Sequence, residues 1–132
     1  MDTLGTYIKN MKSSASEEFK VAKYLLEGKK YSACLFYCHL CLEKLLKGLV
    51  AIETKQPAPF VHNLKTLAER AKLKLSEEQI IQLIDINEFN IAGRYQEYKD
   101  AHYRRSTKQY TEKYFYITKE LFKWLKKQYP KK

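Results

Sequence analysis

Apolar side chains recur at steps of three and four along most of the chain, and this period marks helices. Leu4, Ile8, Met11, Ala15, Phe19, Ala22 and Leu25/Leu26 form one stripe on a helix from about Thr3 to Glu27. Gly28 follows it, at the place a left-handed C-cap favours. A second helix, about Tyr31 to Glu53, carries Cys34, Leu35, Cys38, Leu42, Leu45, Leu46, Leu49 and Ile52. These cover more than half its circumference, so it belongs at the centre of the molecule. Pro57 and Pro59 stop it, because each disfavours helix in the residue before it. A shorter helix near Asn63 to Lys72 shows Leu64, Leu67, Ala68 and Ala71 on one face. Ser76-Glu77-Glu78-Gln79 has the form of a capping box and opens a fourth, which Ile80, Ile81, Leu83, Ile84 and Phe89 turn toward the core. The segment from Asn90 to Arg105 lacks a clean stripe and contains Gly93, so it reads as a loop with a helical turn, a kinked helix being the open alternative. Ser106-Thr107-Lys108-Gln109 repeats the capping-box pattern. Tyr110, Tyr114, Ile117, Leu121, Trp124/Leu125 and Gln128 then mark a long last helix ending near Pro130.

The pattern predicts an all-α, up-and-down bundle of four to five helices. With 132 residues it makes one domain over 1–132, its core at about 5–128 and a lysine-rich tail behind it. Only 4 Gly and 3 Pro are present, too few for the turns of a β-rich domain. The first 20 residues are charged throughout, unlike a secretory signal. The apolar stretch from Tyr31 to Ile52 is broken by His39, Glu43, Lys44 and Lys47, which excludes a bilayer-facing span. The expected location is therefore the cytoplasm, with no membrane partner. Cys34, Cys38 and Cys41 share one side of a helix and read as buried thiols in a reducing compartment rather than as metal ligands. No metal and no cofactor is expected.

Charge changes the picture modestly. Lys and Arg number 25 against 15 Asp and Glu, a net charge of +10 that suits a polyanionic partner such as RNA or a nucleotide. Several residues invite a chemical role beside a structural one. His39, on the polar edge of an apolar helix, suits either a cleft residue touching phosphate or an interhelical hydrogen bond. Glu43 and Lys44 either line that cleft or pair with another helix. His62 stands at a helix start, where amides favour anions, yet His62 or Asn63 could equally cap that helix. Arg94, flanked by Tyr95 and Tyr98 and followed by His102, has the fork for phosphate and the rings for bases, or else belongs to a basic surface loop.

Four ordered patterns carry a family resemblance. They are Tyr31 to Leu49, with His39 and the Glu43-Lys44-Leu45-Leu46-Lys47 run; Pro57-Ala-Pro-Phe-Val-His62-Asn63-Leu64; the Gly93-Arg94-Tyr95 step; and the closing amphipathic helix. Together they resemble the HEPN domain family, in its branch without a clean Arg-x(4–6)-His motif. The resemblance implies a bundle of four to five helices that forms a homodimer with a polar cleft. It also implies a role as a nucleotide- or RNA-binding component of a toxin–antitoxin-type module, beside a minimal nucleotidyltransferase. Binding residues would be His39, Glu43, Lys44, His62, Arg94, Tyr95 and Tyr98.

In active relatives, an Arg and a His cut RNA without metal. Here the nearest pair is Arg94 and His102, with seven intervening residues, which a continuous helix would turn about 80° apart. Two alternatives therefore stay open beside nucleotide binding. One is a metal-independent endoribonuclease toxin with Arg94 and His102 as catalytic residues. The other is a non-catalytic dimeric interaction module.

Overall fold

The computed structural model describes residues 2–131 except 95, and the side chains of 91–99 lie outside the description. Within it the chain forms six helices: α1 Thr3–Glu27, α2 Tyr31–Thr54, α3 Leu64–Arg70, α4 Glu77–Arg94, α5 Gln96–Arg105 and α6 Lys108–Lys127. The bundle is all-α, as expected, with one helix more than the upper expectation. The addition is α5, where the apolar pattern indicated a loop. Outside 91–99, the side chain that α5 buries is His102, so a period search for apolar residues passes over its inner face.

α2 is the axis of the fold and packs against every other helix. Leu35, Leu42, Leu45, Leu46 and Val50 bury almost all their surface around it, and α3, α4 and α6 bring Leu64, Leu67, Leu83, Ile86, Phe89 and Leu125 to the same core. Fully burying one such side chain contributes roughly 1.5–3 kcal/mol. α1 meets α2 through Ala15 and Ala22, both fully buried, whose small side chains let the two backbones approach. A second cluster holds Ala22, Cys34, Cys38 and Phe115. Phe19 joins the two by stacking on Phe115 at 5.4 Å and Phe122 at 4.8 Å. All three cysteines are buried and free.

The ends of the helices show where local rules hold and where they shift. Ser76 and Gln79 form the reciprocal box, with Gln79 N–H on Ser76 Oγ at 3.1 Å and Ser76 N–H on Gln79 Oε1 at 2.9 Å. The second box is displaced by one residue: Thr107 caps α6 by accepting from Tyr110 N–H, while Ser106 Oγ–H donates to His102 C=O at 2.6 Å. The left-handed residue after α1 is Lys29 (φ 61°), not Gly28 (φ −83°). Lys30 N–H reaches Leu25 C=O and Lys29 N–H reaches Leu26 C=O, a Schellman closure built on lysine. On α4 the buried face is Leu83, Ile86 and Phe89, which leaves Ile81 and Ile84 60% and 47% exposed instead of inward. On α6 the face is turned by one residue, to Thr111, Phe115, Thr118, Leu121, Phe122 and Leu125. Gln128 is accordingly exposed and Tyr129 buried.

Candidate functional site

His39, Glu43 and Lys47 stand four residues apart and so share one stripe of α2. Facing that stripe is the end of the proline-containing connection that leads into α3. Asn63 caps α3 by accepting from Thr66 N–H at 3.0 Å, and Asn87 Oδ1 of α4 accepts Leu64 N–H at 3.0 Å. These two asparagines hold the backbone at His62 in place. The choice between capping and chemistry at this helix start thus resolves by position: Asn63 caps, and the His62 ring is available elsewhere.

His62 is held to α2 at both ends. Its carbonyl accepts a hydrogen bond from His39 Nε2 at 2.9 Å, and its ring Nδ1 donates to Glu43 Oε2 at 2.9 Å. Lys47 Nζ lies 2.8 Å from the same oxygen, and His39 Nδ1 lies 3.6 Å from Glu43 Oε1. Because a carbonyl only accepts, the His39 proton sits on Nε2 in the neutral ring. His39 and Glu43 are buried, whereas the His62 side chain is 46% exposed. The arrangement is a buried carboxylate that orients a half-exposed imidazole.

Burial pushes the Glu43 carboxyl up. The hydrogen bonds from Lys47 and His62, with the charge of Lys47, outweigh it and leave the group below the usual carboxylate range. Glu43 is therefore ionised near neutral pH. An ionised partner on Nδ1 selects the tautomer of His62 and leaves Nε2 without a protein partner among the described residues. Such a nitrogen serves as a base when neutral and as an anion donor when protonated. Phe60, two residues earlier, is fully exposed, so an open aromatic face lies in the same short connection.

The other candidate residues divide. Lys44 does not join the stripe. It pairs with Glu18 at 3.0 Å and ties α2 to α1, while burial raises the Glu18 carboxyl and Lys44 partly offsets it. His102 is buried, 4% exposed, and donates from Nε2 to Ser32 C=O at 3.4 Å, with its ring 5.7 Å from that of Phe89. Burial holds its pKa below the usual histidine range, against the Ser32 contact and with help from Arg105. Arg94 ends α4, and the side chains of Arg94 and Tyr98, like Tyr95 as a whole, lie outside the described residues.

Sequence reasoning singled out His39, Glu43 and His62, which the fold brings together. It missed Lys47, Asn87 and Phe60. Of these, only Lys47 had a readable signal, four residues after Glu43 in the spacing of a helical ion pair. Among the described residues no group of three or more His, Cys, Asp or Glu side chains is placed to hold a metal ion. None of their helices is long and apolar enough to cross a membrane.

No curated protein and no solved structure matches the chain. A family model, described as the HEPN domain, matches residues 8–128. That match takes in α2 to α6 whole and all but the first turns of α1, so the chain belongs to the HEPN domain family.

Proposed function

We propose that this HEPN protein binds a nucleotide or single-stranded RNA at the His62 connection. We further propose that it works in the cytoplasm as a homodimer, in a toxin–antitoxin-type module beside a minimal nucleotidyltransferase. The observation that carries the binding reading is the half-exposed imidazole of His62, fixed by the buried, ionised Glu43 two residues from the open ring of Phe60. An imidazole that donates to phosphate when protonated, in one connection with an open face for a base, is the minimum an unstacked nucleotide needs. The net charge of +10 supports the same ligand class through attraction at long range.

Metal-independent cleavage through Arg94 and His102 is the competing reading. Arg94 is the last residue of α4 and His102 lies within α5. Against it, His102 lies in the core on Ser32, and a general acid/base must reach the scissile phosphate.

One titration tests both. A labelled single-stranded RNA oligonucleotide and AMP are added to the chain and to His62→Gln and Phe60→Ala, in EDTA, and the RNA is then run on a gel. Gln keeps a donor for Glu43, so the fold is retained. The expected result is uncut RNA with binding weakened tenfold or more in both variants at unchanged melting temperature. Equal affinity in all three proteins sinks the His62 reading. RNA cut by the wild type and left whole by His102→Ala replaces it with the nuclease. Copurification with a coexpressed minimal nucleotidyltransferase checks the partnership separately.

A further inference from the structure

Away from His62, the first turns of α1 and the end of α6 enclose an open cleft of about 1040 Å³. Lys9 and Lys12 reach it from α1, Lys126 and Lys127 from α6, and Lys131 from the segment beyond. Asp2 is the acidic residue in the lining, and its carboxylate is engaged in capping α1, where it accepts Gly5 N–H at 2.7 Å. Among the described residues none of the five ammonium groups is in an ion pair.

The floor is apolar. Ile8 of α1 and Ile52 of α2 contribute to it, and so does Tyr129, whose hydroxyl donates to Leu45 C=O at 2.7 Å. Gly48 makes that seat possible, since a Cβ there would meet the tyrosine hydroxyl. Lys12 Nζ stands 5.1 Å from the centre of the Tyr129 ring, which brings its charge to the cleft wall. Lys126 and Lys127 have a structural reason to be where they are, because cations in a last turn offset the helix dipole. Lys9 and Lys12, near the opposite end of their helix, gain nothing from a dipole. Five like charges around one hollow repel, and only an anion of several charges relieves them together. Ammonium groups are point charges suited to phosphate oxygens.

We propose that this cleft binds a polyphosphate anion, two or more linked phosphates, carried by a nucleoside or free. The site is independent of the His62 reading: on α2, Ile52 lies nine residues beyond Glu43, roughly 13 Å along the axis.

The test is calorimetric titration of the chain with inorganic tripolyphosphate, ATP and inorganic phosphate at low and moderate salt. The same titrations, with AMP added as the ligand of the His62 connection, are run on a Lys9→Gln/Lys12→Gln/Lys126→Gln/Lys127→Gln variant. The four substitutions relieve mutual repulsion at the cost of the modest dipole and ring contacts of these lysines, and the melting temperature of the unliganded variant checks the fold. Tripolyphosphate and ATP are expected to bind the wild type at least tenfold more tightly than phosphate. The fourfold variant should lose at least tenfold for both, and its affinity for AMP should be unchanged. ATP binding more tightly than tripolyphosphate identifies a nucleoside-borne chain, whereas equal affinities identify the phosphate chain alone. No binding by the wild type, equal binding by the fourfold variant, or an equal loss of AMP binding in that variant overturns the proposal.

Discussion

Glu43 concentrates the polar chemistry of the bundle in one side chain. A carboxylate that is 2% exposed meets Lys47 and His62 on one oxygen and faces His39 with the other. Removing it leaves Lys47 nearly buried without a counter-charge and frees the His62 ring to turn. Glu43→Ala should therefore destabilise the fold by about 3–5 kcal/mol, the range for breaking one side of a buried pair, as read from denaturant unfolding. Glu43→Gln keeps the volume and can still accept from His62, so its loss should be smaller, about 1–3 kcal/mol. A Glu43→Ala protein as stable as the wild type would mean that the pair contributes nothing net. This cluster was partly legible in the sequence. His39 and Glu43 stand out as polar residues inside an apolar run, and His62 by its place at a helix start. That the His62 ring folds back onto Glu43 depends on the path of a connection whose bends no periodicity records.

The elements were legible wherever a helix turns apolar residues inward, and obscure where it does not. α1 and α2 follow from their stripes, and α4 opens on the box that Ser76 and Gln79 announce. α5 reads as a loop because the inward residue among its described side chains is His102, and the α6 face reads one position off because Thr111 and Thr118 occupy core sites that a hydrophobic pattern skips. Helix ends were blurred by one residue for a related reason, since Lys29 takes the left-handed conformation beside an available Gly28. An L-residue is disfavoured there by about 1–2 kcal/mol, offset in glycine by its greater unfolded freedom. Lys29→Gly should thus raise stability by about 0.5–1 kcal/mol in equilibrium unfolding. At Gly48 the usual preference runs the other way. Ala is favoured over Gly inside a helix by about 1 kcal/mol, but here its Cβ displaces Tyr129 from Leu45 C=O. Gly48→Ala should destabilise by about 1–3 kcal/mol in spite of its better propensity. The double variant Gly48→Ala/Tyr129→Phe should recover part of that loss, because the missing hydroxyl clears the space.

For the molecule as a whole, the buried groups that join α5 and the α2–α3 connection to the bundle set how it responds to acid. His102 is held neutral by burial, with its pKa below the usual histidine range. Between its folded value and about 6.5 the unfolded chain therefore binds more protons than the folded one, so stability falls as pH drops through that window. Glu43 acts lower. Its folded value lies below the usual carboxylate range, so its contribution is complete above about 4.3 and disappears as pH falls through the folded value. Two losses should appear on acidification, the first belonging to α5 and the second to the α2–His62 cluster. His102→Gln preserves a donor for Ser32 C=O and removes the titration. Its melting temperature should accordingly fall less than that of the wild type between pH 7.5 and 5.5, while the loss below pH 4.5 remains. Hydrogen exchange places the first loss in space: lowering pH toward 5.5 should increase exchange in α5 before it does so in α2. Parallel melting curves for the two proteins across the upper window would show that His102 opens to solvent without penalty. In that event His102 could reach a bound phosphate, and the nuclease reading would regain its acid/base.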